Sequence, residues 1–240
     1  EMKKIVFTLL ALCCGAVIFA QQINDPNAEI REAKNFHAIK VSHAFDVYLT
    51  QSNEEAVAVS AADDEAKQHI KVQVDGGVLI ISFDADKQFW KAWKGNKKLK
   101  AYISFKSIDK LLASGACDFK IMVSIKAENL VVDFSGASDL KGKVEVDNTL
   151  DVQLSGASDV DINGTASQLK ASLSGACDFK GYDLVTEYCD ISASGASGVK
   201  ITVNKELSAK VSGASDINYK GTGLIRDLKS SGASSIKKRS

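Results

Sequence analysis

One four-residue phrase recurs seven times in the chain: Ser114-Gly115-Ala116-Cys117, Ser135-Gly136-Ala137-Ser138, Ser155-Gly156-Ala157-Ser158, Ser174-Gly175-Ala176-Cys177, Ser194-Gly195-Ala196-Ser197, Ser212-Gly213-Ala214-Ser215 and Ser231-Gly232-Ala233-Ser234. Successive copies lie 21, 20, 19, 20, 18 and 19 residues apart. A period of that length marks one structural unit repeated from about residue 109 to the C-terminus.

Apolar residues alternate with polar ones on both sides of the phrase. Three before its Ser stand Leu111, Val132, Val152, Ala171, Ile191, Ala209 and Leu228, and five after it Phe119, Leu140, Val160, Phe179, Val199, Ile217 and Ile236. Period-2 alternation is strand with one buried face. A unit of 18 to 21 residues without helical periodicity has room for about three short strands at ~3.3 Å per residue. Stacked units bury in common the apolar columns that no unit buries alone. The expected fold is therefore all-β: a single-stranded parallel β-helix, right-handed by the crossover rule. Continuing the alternation through the phrase puts its Gly and its Ser or Cys inward and its first Ser and its Ala outward. The Gly marks either a bend with positive φ or a tight cross-section.

The N-terminal part lacks the phrase. Residues 1–20 read as a signal peptide, with Lys3 and Lys4 before the apolar run Ile5 to Phe19, and no later run is long enough to span a bilayer. Leu12 precedes Cys13 where a lipoprotein signal places a small residue, so a plain cleavable signal is expected rather than a lipid anchor at Cys13. Residues 21–35 read as a flexible linker, 36–108 as capping coils with a β-hairpin around Asp75-Gly76-Gly77, and 109–240 as regular repeats, with 36–240 one continuous domain. Lys87 to Lys98 interrupts the cap with both tryptophans and five lysines. These aromatics either plug the solenoid end or contact a ligand, with Trp90, Trp93, Lys91 and Lys94 as the contact candidates.

Thirty basic residues balance thirty acidic ones, which gives no electrostatic footprint for nucleic acid. Asp118, Asp139, Asp159, Asp178 and Asp216 form a column beside Lys120, Lys141, Lys180, Lys200 and Lys237. A calcium ladder needs several oxygens converging on each ion, and the Gly-Gly-x-Gly-x-Asp repeat is absent, so the column reads as solvated or turn-forming. Cys117, Cys177 and Cys189 form no disulfide framework. Cys117 and Cys177, three coils apart, would be about 14 Å from each other, too far to bridge. His37, His43 and His69 lack metal-ligand spacing, and a serine repeated seven times is structural by multiplicity. Neither a catalytic residue nor a metal or cofactor site is expected.

The segment Phe36 to Leu49, the hairpin Val72 to Ile81 and the Ser-Gly-Ala-Ser-Asp coils together resemble the auto-transporter adhesin head GIN domain family of exported Bacteroidetes proteins. The resemblance implies a right-handed β-helix and an adhesin-like role, and supplies no catalytic motif. The expected function is a non-enzymatic, exported cell-envelope protein, in the periplasm, on the outer membrane or outside the cell, that presents a rigid solenoid for binding or assembly. Ser155, Ala157, Ser174 and Ala176 are its candidate assembly face toward a homo-oligomer. The alternatives are a carbohydrate-binding module using the Lys/Trp loop, with an envelope or host glycan as partner, and a β-helix enzyme that cleaves polysaccharide.

Overall fold

The computed structural model describes residues 23–85, 89 and 98–239. Near the N-terminus come strands β1 (Glu29–Arg31), β2 (Ala38–His43), β3 (Phe45–Gln51) and β4 (Ala56–Ser60), then a short helix α1 (Asp64–Gln68). Next are β5 (Ile70–Asp75), β6 (Val78–Phe83), β7 (Leu99–Phe105), β8 (Lys110–Gly115), β9 (Asp118–Ile121), β10 (Ile125–Ala127) and β11 (Leu130–Gly136). Long strands that bend around the coil follow: β12 (Asp139–Gly156), β13 (Asp159–Gly175), β14 (Asp178–Gly195) and β15 (Gly198–Val211). The last coils contain β16 (Asp216–Lys220), β17 (Leu224–Ser230) and β18 (Ser235–Lys238). The chain is a β-solenoid of about six turns.

From β8 onward each coil pairs in parallel with the next, like residue upon like residue: Leu140 on Val160, Val160 on Phe179, Phe179 on Val199. Alternate residues therefore fill one continuous core. Leu111, Val132, Val152 and Ile191 are wholly buried, and the Phe119 and Phe134 rings meet at 4.9 Å between centroids. Burial of each large side chain contributes about 1.5–3 kcal/mol.

The phrase departs from simple alternation. Its Gly is exposed rather than inward, and at all seven copies φ lies between +75° and +109°. The bend reading of the Gly holds and the inward one fails: a left-handed residue turns the chain by itself, so the fourth residue swings inside while the second stays out. Cys117, Ser138, Ser158, Cys177, Ser197 and Ser215 are buried there, which accounts for the Cys/Ser exchange.

Spatial order at the N-terminal end differs from chain order. β2 lies between β6 and β8, and β3 between β7 and β9, all in parallel. The chain thus enters at the second coil, turns back through β4, α1 and β5 to build the outer coil β6–β7, and then crosses over β2–β3 to continue at β8. β5 and β4 cover β6 and β7 in antiparallel fashion. The helix starts at Asp63, whose carboxylate accepts the Ala66 N–H at 2.7 Å, and it buries Ala66. Where coil β2–β3 lacks a third strand, the Gln51 side chain replaces it, accepting the Lys126 N–H and donating to the Lys126 carbonyl.

Residues 23–35, part of the stretch expected to be a flexible linker, dock on the solenoid instead. β1 pairs antiparallel with β4, and Asp25 docks on Lys100 and Tyr102, so the edge of β4 and a half-buried cation tie the strap down.

Candidate functional site

The bends stack into one corner running along the solenoid. The serines lie in register (Ser42 on Ser114, Ser114 on Ser135, Ser155 on Ser174, Ser174 on Ser194), and so do the glycines. The Ala137, Ala157, Ala176, Ala196 and Ala214 N–H groups each donate to the Gly carbonyl one coil earlier, at 2.7–2.8 Å, and Ala116 donates to the His43 carbonyl in the same place. The spacing leaves no room for a side chain, since a Cβ on Gly156 would stand 2.4 Å from the Gly136 carbonyl oxygen. Inside the corner, the Ser138 hydroxyl donates to the Ser135 carbonyl at 3.2 Å and accepts the Cys117 N–H at 3.3 Å; Ser158 repeats both contacts with Ser155 and Ser138.

The first coil carries an eighth, degenerate copy, Ser42-His43-Ala44-Phe45, followed by Asp46 in register with Asp118. His43 keeps the left-handed φ of +80°. The His43 Nδ1 accepts the Phe83 N–H at 3.3 Å. In the sequence, the Lys/Trp stretch falls between β6 and β7, where later coils carry the phrase. Phe89 lies against His69, with ring centroids 4.3 Å apart, near the insertion's base. Trp90, Trp93, Lys91 and Lys94 lie outside the described residues.

Of the residues expected to form an assembly face, Ala157, Ser174 and Ala176 are exposed and Ser155 is half-buried, all in two adjacent coils. Beside them a shallow depression is lined by Asp133, Gln153, Ser155, Ser172, Ser174 and Ser194. The Asp column is one longer than the phrase indicates, running Asp46, Asp118, Asp139, Asp159, Asp178 on consecutive coils. Burial and the neighbouring carboxylates Asp139 and Asp46 push the Asp118 carboxyl up. Lys180 relieves the repulsion further along, reaching Asp159 at 3.4 Å and Asp178 at 3.8 Å. Among the described residues no group of three or more His, Cys, Asp or Glu converges as a metal site. The three thiols are buried and unpaired, and burial raises each, Cys189 to about 12, so they stay protonated and poorly nucleophilic.

Around Asp25, burial alone would push the carboxyl up, but hydrogen bonds from Lys100 (2.9 Å), Tyr102 (2.8 Å) and the Asn27 backbone overcome it and hold the carboxyl down at about 2. Because the folded value lies below the unfolded one, the strap's contribution is full above about pH 4 and fades as pH falls toward 2. Asp25→Asn is expected to cost roughly 2 kcal/mol at neutral pH and almost nothing near pH 2. Urea midpoints of the two proteins across that range check it: a gap that does not close in acid refutes the latch.

Stacked parallel coils, a glycine-turned corner and a docked N-terminal strap define a parallel β-solenoid. The model of the family described as "Putative auto-transporter adhesin, head GIN domain" matches residues 35–223, and the chain belongs to that family. No curated protein matches it. Among solved structures, a "putative adhesin" of Bacteroides fragilis superposes with a TM-score of 0.79 at 23% identity, covering 88% of this chain and 96% of its own. A "putative lipid binding protein" of Parabacteroides distasonis gives 0.69 at 19% identity, covering 90% and 98%, and a "putative adhesin" of Parabacteroides merdae 0.60 at 18%, covering 89% and 95%. At these identities the likeness is one of fold. Among the described residues, no helix is long and apolar enough to cross a membrane.

Proposed function

We propose that the protein is an exported, non-enzymatic scaffold of the cell envelope, which acts by presenting its solenoid wall and bare corner to a partner surface. The observation that carries this reading is the corner itself, where seven successive coils from Ser114 onward add the same Ser-Gly-Ala at strand spacing of ~4.8 Å. Hydroxymethyl and methyl groups lose little rotamer freedom on contact, so a flat, regular partner can approach the backbone at low entropic cost. A second copy of the chain, corner against corner, is such a partner. The depression beside the corner is shallow, and the buried thiols of Cys117, Cys177 and Cys189 stay protonated, which favours binding over chemistry on this face.

Ala157→Glu with Ala176→Glu is expected to convert side-by-side oligomers at high ionic strength to monomers while the circular dichroism spectrum and melting temperature hold. Unchanged sedimentation would count against the corner. The sequence of the Lys/Trp stretch supports a second reading, because it interrupts the repeat pattern with aromatics and cations suited to stacking on sugars. Binding on a glycan array that survives Trp90→Ala with Trp93→Ala would eliminate that reading.

A further inference from the structure

The two ends of the solenoid are unlike. At the N-terminal end the outermost strands are β5 and β1, each paired on one side only among the described residues. On β5, Ile70 is buried while Val72 and Val74 are only partly covered. At the other end β17 and β18 pair only inward, with β15 and β16, and among the described residues nothing lies beyond them. Ile225 and Leu228, in register with the buried Leu207 and Ala209, point along the core column yet remain 51% and 37% exposed, and Leu224 beside them is 76% exposed. The core row continues to the end of the stack and stops uncovered.

Charge separates the ends as well. Residues 224–239 carry Arg226, Lys229, Lys237, Lys238 and Arg239 against Asp227, five minus one, a net +4. Residues 52–77, the layer over β6 and β7, carry Glu54, Glu55, Asp63, Asp64, Glu65 and Asp75 against Lys67 and Lys71, two minus six, a net −4. Like ends would set Lys237, Lys238 and Arg239 against their own copies, whereas unlike ends attract.

We propose that copies of this chain stack head to tail, the basic last coil of one on the acidic N-terminal layer of the next, with β17 antiparallel beside β5 and Ile225 and Leu228 covering Val72 and Val74. The strand directions agree, since β17 runs parallel to every coil below it and β5 runs against β6. Seven-residue β17 and six-residue β5 also match in length, so both free edges gain a partner. A contact between unlike ends does not close on itself, and the product is a filament rather than a dimer. This surface is separate from the corner, although it rests on the same reading of the protein as a scaffold.

Sedimentation velocity and negative-stain microscopy of the purified protein at low ionic strength test it. Mass should climb with concentration without a plateau, and high salt should reverse it. Ile225→Asp should remove the filaments and leave any corner-to-corner oligomer in place. Lys237→Glu with Lys238→Glu, on exposed side chains, should do so without affecting the melting temperature. Because that variant keeps an intact β5 layer, a minor fraction mixed into the native protein should cap filament ends and shorten them. Ala157→Glu with Ala176→Glu should leave filament length unchanged, which separates failure of this contact from failure of the corner. A monomer at all concentrations, a dimer that goes no further, or filaments insensitive to the lysine variant would overturn the proposal.

Discussion

Gly156→Ala is expected to destabilise the protein by about 3 kcal/mol or more, with left-handed strain and overpacking each contributing on the order of 1–3 kcal/mol. The new methyl would need φ near +79°, and its carbon would stand 2.4 Å from the Gly136 carbonyl oxygen and 3.1 Å from the Gly136 nitrogen. Neither neighbour can yield, because that oxygen accepts the Ala157 N–H in the corner ladder. Relief requires prising two coils apart, and the adjoining Val152 and Leu154 columns would lose packing with them. Gly232→Ala is the internal control. There the corresponding contact, to the Gly213 oxygen, is 2.9 Å and the coil is terminal, so the loss should be visibly smaller. Equal shifts in urea midpoint for the two variants would mean that the corner is not close-packed.

The same geometry explains which features were legible in the sequence. From Leu111 to Ile217 the buried columns follow residue alternation alone, because in a solenoid each residue packs against its own equivalents and one period defines every contact. Within the phrase, alternation fails only at the glycine, which a left-handed φ turns outward, while the fourth residue stays inward and the Ala outward as alternation indicates. The eighth copy at Ser42 is masked in sequence because His43 stands where the other copies have Gly, and only Ser42, Ala44 and Asp46 keep the phrase's spacing. Asp25 looks like linker in sequence because its partners, Lys100 and Tyr102, are 75 and 77 residues away and nothing local announces them. The interleaving of β2–β3 was invisible for a deeper reason. Every coil offers a similar apolar face, so sequence tells which residues point inward and not which coil lies next.

That interleaving can be tested through Val47→Asp. Val47 is wholly buried, in register with Ala101 on one side and Phe119 on the other. A carboxylate there has no partner and no water, and leaving such a charge uncompensated costs about 4 kcal/mol or more. Stability in a solenoid is a sum over neighbouring coils, so the damage should stay local and divide the molecule instead of unfolding it throughout. The line of division depends on the order of stacking. Were coils stacked in chain order, residues 38–51 would form the end, and their loss would leave 78–105 paired with the coils that follow. In the observed order β6 and β7 reach the rest of the described solenoid only through β2 and β3, so 78–83 and 99–105 must lose protection together with 38–51. Amide hydrogen exchange should therefore show both segments exchanging rapidly in the variant while 159–203 keeps native protection. Protection retained at 99–105 with 45–51 exposed would contradict the interleaved coil.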